Sequence, residues 1–225
     1  MESLVDIVRE DVFAFLKSNE ELLFNERDFQ MHLATWLRGS ANAYDDVDVE
    51  YYVPVEELKK VGEYVWESEL RLDVVVKKDA EYCPIELKYK TKKVERQISR
   101  FDEVLSEEVV VMKNQGAQDL GMYNFWKDIR RVELVCKRFK NVNSGLAVFV
   151  TNDSYYVKER NSNRVNNHHL FSMSAGEHGT IKRWQNENSA CAKSYKSFEV
   201  DNRYTIQWNE RMIEEERFYY CIVTI

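Results

Sequence analysis

Apolar residues recur near a helical period in two early segments of the chain. In residues 4–18 they predict a peripheral N-terminal helix. Residues 24–40 predict a better-marked helix, because Asn25 can cap its first turn, Asp28 occupies the position of a capping-box acid and Gly39 can end it.

Alternation of apolar and polar residues next predicts three strands. These are DVDVEYYV at 46–53, the long run EYVWESELRLDVVVKK at 63–78 and, after a turn at KDAE, CPIELKYK at 83–90. Residues 92–112 are charged and end in the apolar run VVVM, which indicates a helix or an excursion from the sheet.

A long helix and a buried strand follow. Residues 115–140 place apolar side chains nearly on one helical stripe, and SGLAVFVTND at 144–153 is typical of a buried strand closed by turn residues. The order helix, three strands, helix and strand over residues 24–152 predicts an α/β layer unit, in which helices cover a sheet.

The composition changes beyond Tyr155. Residues 161–197 are rich in Asn, Ser and Lys without periodicity, which predicts a long polar loop or lid. The later segments YTIQWNE and FYYCIVTI predict an antiparallel strand pair. We expect one domain over residues 1–225, with a core at 24–152 and a C-terminal elaboration at 153–225.

The charge distribution narrows the classes of function. A formal net charge of −7 argues against a protein that coats nucleic acid nonspecifically, since phosphate binding draws on clustered Lys and Arg. However, residues 1–70 hold 17 acids and 6 bases, whereas residues 71–140 hold 12 and 16. The segment that is net basic is therefore the one that contains CPIELKYK.

Cysteine spacing and hydropathy set the expected compartment. The four cysteines lie far apart without a CxxC pair, so neither a zinc site nor a disulfide framework is expected. The first residues are acidic and amphipathic, and no apolar run approaches the length of a membrane span. These features predict a cytoplasmic protein without a membrane partner.

The third predicted strand carries Glu86 and Lys88 side by side on its polar face. With a tight turn at KDAE, Asp73 lies directly opposite Glu86, and Arg71 lies directly opposite Lys88. Like charges so placed destabilise a sheet, but two carboxylates with water and a phosphate oxygen suit Mg²⁺. A register shifted by two residues instead pairs Asp73 with Lys88 as an ordinary salt bridge, and the spacing alone leaves both interpretations open.

Asp73, followed by Glu86-Leu87-Lys88, resembles the signature of the PD-(D/E)XK nuclease superfamily. That signature is an acid at the end of one strand, then Glu or Asp, any residue and Lys on the next. The element order over residues 24–152 also matches the family's helix-strand-strand-strand-helix-strand core. The resemblance implies a restriction-endonuclease-like fold, a central mixed sheet flanked by helices, with an N-terminal helix and C-terminal strands added.

The resemblance also implies a site and a cofactor. Asp73, Glu86 and the Leu87 carbonyl would hold Mg²⁺ or Mn²⁺, and Lys88 would orient or help deprotonate the attacking water. Glu26, on the first core helix, would assist catalysis, although the helix dipole also favours an acid in a first turn. One departure from the motif is that Leu72 stands where the family's name-giving Pro would be.

Substrate contacts are expected on the second core helix. Gln118 and Tyr123 loosely resemble a Gln and a Tyr that some members of the family carry near the site, with Gln115 as a competing assignment. Arg131 belongs to a basic run suited to a phosphate backbone, a pattern that is more often the solvated face of a helix.

We therefore expect a metal-dependent endonuclease that hydrolyses phosphodiester bonds in DNA. A homodimer is a possible assembly, because cutting both strands favours two sites. The alternative is a catalytically inactive nuclease-like module that binds nucleic acid or protein.

Overall fold

The computed structural model describes residues 2–158 and 166–225. The helices are α1 (Leu4–Ser18), α2 (Glu26–Arg38), α3 (Val55–Leu58), α4 (Gln118–Arg138) and α5 (Ala190–Ser194), with a 3₁₀ turn at His169–Phe171. The strands are β1 (Asp46–Val53), β2 (Leu70–Lys78), β3 (Glu81–Lys90), β4 (Val94–Arg96), β5 (Ser99–Arg100), β6 (Glu103–Val104), β7 (Val109–Met112), β8 (Leu146–Thr151), β9 (Gly176–His178), β10 (Ile181–Lys182), β11 (Phe198–Glu199), β12 (Tyr204–Ile206), β13 (Asn209–Ile213) and β14 (Glu216–Thr224).

Six strands form a mixed sheet in the order β1-β2-β3-β8-β14-β13. β3 and β8 run parallel, and the other neighbouring strands of this sheet run antiparallel. A parallel pair requires a crossover connection, and α4 lies within the segment that joins β3 to β8. The predicted α/β class, with a mixed sheet flanked by helices, is therefore confirmed at the level of its layers.

Helices cover both faces of the sheet. α1 and α2 pack on one face, where Val74, Ile85 and Leu146 belong to the same buried cluster as Val8 and Leu33 of the helices. α4 packs on the other face, where its aromatic residues meet side chains from β8 and β14. The polar side chains of the β2–β3 hairpin that face α4 are therefore enclosed between a sheet and a helix.

The caps predicted for α2 are present. The Asn25 side chain accepts a hydrogen bond from the N–H of Asp28, and Gly39 is the C-cap residue. The Asp28 carboxylate accepts from the N–H of Phe24, one residue before the cap. These contacts fix the start of the helix that carries Glu26 in its first turn.

The second strand is shorter than the alternation predicts, since β2 begins at Leu70 rather than near residue 63. Tyr64 and Trp66 instead pack edge-on against each other, with ring centroids 5.2 Å apart. The Arg131 guanidinium of α4 lies over both rings. Packing against α4 thus overrides a local pattern that fits a strand.

Residues 92–112 are an excursion rather than a helix. They form two nested antiparallel hairpins, in which β4 pairs with β7 and β5 pairs with β6. Val94, Val111 and Met112 anchor the base of this excursion in the buried core beside α1 and α2.

The C-terminal part also differs from the expectation. β14 covers the predicted FYYCIVTI strand, but its antiparallel partners are β8 and β13, while β12 pairs with β9. Residues 161–165 of the predicted loop lie outside the described residues. From residue 166 onward the segment contains short elements, and Phe171 and Trp184 are buried against Tyr123 of α4. Within the described residues, none of the helices is both long and apolar enough to cross a membrane.

Candidate active site

The β2–β3 hairpin adopts the register that places Asp73 level with Glu86. Its ladder begins at the pair Val74 and Ile85, so the two acids lie just past the last paired rung. Asp79 in the two-residue turn has φ of 54°, a conformation that Asp tolerates better than most residues. The alternative register, shifted by two residues, is not adopted.

The second like-charged rung does not form, because the two strands separate beyond the acids. Arg71 points to solvent, where it pairs with Glu69 at 3.6 Å, whereas the Lys88 side chain is enclosed. At the point of separation the Oδ2 atom of Asp73 accepts a hydrogen bond of 2.6 Å from the N–H of Leu87. The Asp73 carboxylate thus accepts the hydrogen bond that a main-chain carbonyl of β2 would accept if the ladder continued, and this bond fixes the carboxylate against β3.

Glu86 is buried beside Asp73, and its carboxyl group is only partly hydrogen-bonded. Its residue is 4% exposed, and its Oε1 atom has no hydrogen-bond partner. Burial, followed by the negative charges of Asp128 and Asp73, raises the pKa of Glu86 well above its usual range. Burial also raises the pKa of Asp73 to about 6, against the opposing effect of Lys88. The two carboxyl groups therefore disfavour being ionised together.

Lys88 lies among carboxylates. Its Nζ atom is 2.7 Å from Oδ2 of Asp128 and 3.9 Å from Oε1 of Glu26, and it donates to the Leu87 carbonyl at 2.8 Å. Burial lowers the pKa of Lys88, but the surrounding carboxylates, led by Asp128, outweigh burial and raise the pKa above its ordinary value. Lys88 therefore keeps its positive charge in this site.

Glu26 reaches the site from the first turn of α2. Its Oε2 atom accepts a hydrogen bond of 3.0 Å from the N–H of Tyr89, and its Oε1 atom faces Lys88. The residue thus lies where the helix dipole favours an acid and also beside the candidate site. The position of Glu26 is therefore compatible both with an acid that the helix dipole favours and with a residue that assists catalysis.

The main chain of Asp73 is held from the side of β1 and α2. Gln30, one turn after Glu26, is buried and donates both to the Asp73 carbonyl at 2.7 Å and to Oε1 of Glu50 at 3.1 Å. Glu50 has φ of 53° in the middle of β1, and the ladder with β2 has no pair at this position. A non-glycine residue in this region costs on the order of 1–3 kcal/mol and persists where its surroundings fix it.

Asp128 is a site residue that the signature does not include. It lies on α4, its side chain is 5% exposed, and it forms the shortest ion pair of Lys88. Phe125 and Val132 precede and follow it at helical spacing, and both are buried. An acid within an otherwise apolar helical stripe is the sequence signal that marks such a residue.

Two basic residues of α4 flank Asp128. Arg131 lies 3.9 Å from Asp128 and donates to the Ser68 hydroxyl at 2.6 Å. Lys127 and Arg131 both lie against the Trp66 ring. Burial, then the charge of Arg131, lowers the pKa of Lys127 to about 8. The acidic side chains of the β2–β3 hairpin thus face a helix that carries the positive charges of Lys127 and Arg131 beside Asp128.

The other two predicted substrate contacts, Gln118 and Tyr123, form hydrogen bonds with residues other than Asp73, Glu86 and Lys88. Gln118 begins α4 and donates to Asp153 at 3.1 Å. Tyr123 is buried, and its hydroxyl donates to the Lys196 carbonyl at 2.9 Å and accepts from Trp66 at 2.8 Å. Tyr123 therefore serves as a packing residue of the aromatic cluster on α4.

The donor set suits a hard divalent cation. Asp73 and Glu86 supply carboxylate oxygens, one of which has no other partner, and the Leu87 carbonyl has a second lone pair beyond its bond to Lys88. The described part of the chain contains no group of three or more His, Cys, Asp and Glu side chains that could hold a metal ion. Water and substrate oxygens would complete the coordination, as is usual for Mg²⁺.

Comparisons of this chain with protein-family models, with curated proteins and with solved structures find no match. The resemblance to the PD-(D/E)XK superfamily therefore depends on the residues and the geometry described above, and it stays a prediction.

Proposed function

We propose that the protein is a metal-dependent nuclease that hydrolyses phosphodiester bonds in DNA. The observation that carries this proposal is the buried Glu86 carboxyl, which has an oxygen without a partner and lies beside Asp73. Such an arrangement destabilises a protein unless a ligand neutralises it, and perturbed carboxyl pairs of this kind are concentrated at functional sites. A divalent cation is the ligand that hard oxygen donors favour.

Each residue of the site has a distinct role in this proposal. Asp73, Glu86 and the Leu87 carbonyl would hold Mg²⁺ or Mn²⁺, which supplies Lewis acidity and an activated water. Because its neighbours keep Lys88 charged, Lys88 acts as a hydrogen-bond donor to the phosphate or the water, rather than as a base. Asp128 positions Lys88.

Residues at the edge of the site complete the proposal. Glu26 has one oxygen fixed by the Tyr89 N–H and a second that faces Lys88, so it can orient water next to the reacting phosphate. Lys127 and Arg131 present positive charge beside the acidic pair and are the contacts proposed for the phosphate backbone. A homodimer would place two such sites on a duplex.

One observation favours a second candidate function, an inactive nuclease-like module that binds nucleic acid or protein. Lys88 forms its shortest ion pair with Asp128, not with Asp73 or Glu86. If that pair persists when DNA is bound, Lys88 cannot reach the phosphate. The module would then bind DNA without hydrolysing it.

A cleavage assay separates the two functions. Plasmid, linear duplex and single-stranded DNA are incubated with Mg²⁺ or Mn²⁺, with EDTA as the control. The nuclease proposal expects metal-dependent cleavage that Asp73→Asn and Lys88→Met abolish, while Glu57→Gln, a surface acid paired with Arg138, leaves it intact. If the unaltered protein binds DNA but cleaves it with neither Mg²⁺ nor Mn²⁺, the result would support the inactive module instead.

A further inference from the structure

The tip of the excursion between β3 and α4 exposes a large aromatic ring. β5 and β6 pair Arg100 with Glu103, which leaves Phe101 and Asp102 as the two turn residues. Phe101 is 98% exposed, and Val104 next to the turn is also largely exposed. Burying a Phe side chain is worth roughly 1.5–3 kcal/mol, and the fold makes no use of this one.

The backbone of this turn is unfavourable for the residues that occupy it. Phe101 and Asp102 have φ of 52° and 65°. A hairpin turn with two positive φ angles is normally built from Asn and Gly, and a bulky residue there is an outlier. Neither local conformation nor core packing accounts for a phenylalanine at this position.

The excursion is nevertheless firmly attached below its tip. Its base strands place Val94 and Met112 in the core, and the Arg96 guanidinium forms ion pairs with Glu214 and Glu216 of the β13–β14 turn. Toward the tip, the N–H of Leu105 donates to the carbonyl of Ile98 at 2.9 Å. The aromatic ring is therefore displayed on an ordered support.

The tip contacts the start of α2, the helix that carries Glu26 to the candidate active site. The Arg100 guanidinium is 5.1 Å from the ring centroid of Phe24, which directly precedes the first turn of α2. Glu26 extends from that turn to Lys88. The chain that leads to the tip also begins at β3, directly after Lys88.

We propose that Phe101 stacks on an unpaired nucleobase of DNA whose backbone enters the carboxylate site. This inference rests on the proposed function. An aromatic side chain can stack on any base, because every base has a π-face. Asp102 and Glu103 flank the ring, so repulsion opposes its insertion into a duplex, which carries two strands of phosphates, more than it opposes stacking on a base splayed out from a single strand of lower charge density. The substrate class inferred is DNA with unstacked bases, such as a single strand or a junction of duplex and single strand.

The test measures DNA binding separately from cleavage. A junction oligonucleotide carries 2-aminopurine as its first unpaired base, and binding is measured in EDTA so that the DNA stays intact. Phe101→Asn removes the ring while suiting the left-handed turn, and Phe101→Trp retains an aromatic face. Met212→Ala, a change at an exposed apolar residue of β13, is the matched control.

We expect the unaltered protein to change 2-aminopurine fluorescence and to bind the junction and single strand more tightly than a uniform duplex. Phe101→Asn should lose the fluorescence change and weaken binding to unstacked DNA roughly 5- to 100-fold, with little effect on duplex. Phe101→Trp and Met212→Ala should behave like the unaltered protein. The thermal midpoint of each variant confirms that it is folded.

Two results would overturn the inference. One is Phe101→Asn binding all three DNAs as the unaltered protein does, which would assign the tip to a protein partner or to none. The other is an equal loss on duplex and on unstacked DNA. Ring-dependent binding without metal-dependent cleavage would overturn the proposed nuclease instead and leave the stacking role in place.

Discussion

Two glutamates of this protein are equally buried, each 4% exposed, yet their surroundings differ. Glu133 of α4 accepts hydrogen bonds from the Tyr204 hydroxyl at 2.9 Å, the Asp201 N–H at 2.7 Å and Arg130 at 3.1 Å. Arg130 in turn pairs with the Asp201 carboxylate at 2.8 Å. This network satisfies a buried charge in the way that stable proteins normally do.

Glu86 of β3 lacks such a network. One of its oxygens has no donor, and its nearest charged neighbours include Asp73 and Asp128. Burial raises the pKa of both glutamates, but hydrogen-bond donors oppose the shift at Glu133, whereas carboxylates add to it at Glu86. Glu133 is therefore satisfied as a structural buried charge normally is, whereas hydrogen bonding within the fold does not account for the burial of Glu86.

The largest expected effect comes from removing the charge of Glu86. Glu86→Gln should reduce metal-dependent cleavage by more than roughly 10³-fold, because an ion ligand is lost. The same change should raise the free energy of unfolding by about 1–2 kcal/mol at pH 7.5, because it relieves repulsion among buried acids. Cleavage rates and urea unfolding of the same preparation check both effects. A variant that is both inactive and less stable would remove the distinction between the two glutamates.

The opposite result is expected at Glu133. Glu133→Ala should lower the free energy of unfolding by about 3–5 kcal/mol, because it removes the buried acceptor that the Tyr204 hydroxyl, the Asp201 N–H and Arg130 share. Glu133→Gln keeps an acceptor and should be milder. Urea unfolding measures both. A Glu133→Ala protein that loses less stability than Glu133→Gln would show that the network is not structural.

Asp128 tests whether the ion pair with Lys88 belongs to the catalytic group. Asp128→Asn should lower the cleavage rate by roughly 10- to 100-fold, in the range typical for loss of a residue that positions another site residue. Because Asp128 is the leading cause of the raised pKa of Lys88, its loss should also move the alkaline limb of the pH–rate profile to lower pH. A uniform loss of rate with an unchanged profile would contradict this role of Asp128.

The carboxylate pair also predicts how metal and pH act together on stability. The pKa of Asp73 is raised in the folded protein, so its stabilising contribution is present below about pH 4 and is lost as pH rises through about 6. Without metal, the unaltered protein should therefore lose about 1–2 kcal/mol relative to Asp73→Asn between pH 5 and 7.5. Mn²⁺ should restore that loss at pH 7.5 but not at pH 5, where the carboxyls retain protons.

Thermal unfolding of both proteins, with and without Mn²⁺, measures this difference. The Asp73→Asn protein is the control, because the other titrating groups are common to both. An equal response of the two proteins to Mn²⁺ would place the metal elsewhere.

Strand alternation is sufficient to predict the hairpin and which of its residues share a face, but it leaves two registers open, and the structure adopts the one that places Asp73 beside Glu86. Asp73, Glu86 and Lys88 do lie together, with Glu26 beside them. The patterns do not reveal that Lys88 pairs with Asp128, because that contact joins residues 40 positions apart and depends on how α4 packs on the sheet. For the same reason they do not reveal that Tyr123 packs in an aromatic cluster built from later segments.

Lys182 shows that a buried charge without an opposite charge does not by itself mark a functional site. Its Nζ atom lies 3.2 Å from the ring centroid of Trp126 and 3.4 Å from the Leu170 carbonyl, and within the described residues it has no carboxylate at ion-pair distance. Burial lowers the pKa of Lys182 to about 7. Its stabilising contribution is therefore present at high pH and is lost as pH falls through about 7.

We expect Lys182→Met to stabilise the protein by about 1 kcal/mol more at pH 6 than at pH 9, because at pH 9 the folded lysine is neutral while the unfolded lysine, with an ordinary pKa of 10.5, still has to lose its proton on folding. Cleavage should be unchanged at either pH, because Lys182 lies against Trp126 in the aromatic cluster rather than at the carboxylates. Urea unfolding at the two pH values, with cleavage as the second measurement, distinguishes this outcome from a functional role. A loss of cleavage without a change in stability would instead give Lys182 a role in function, as proposed for Glu86, and not a structural role like that of Glu133. A buried charge could then be functional without lying where a metal ion can bind.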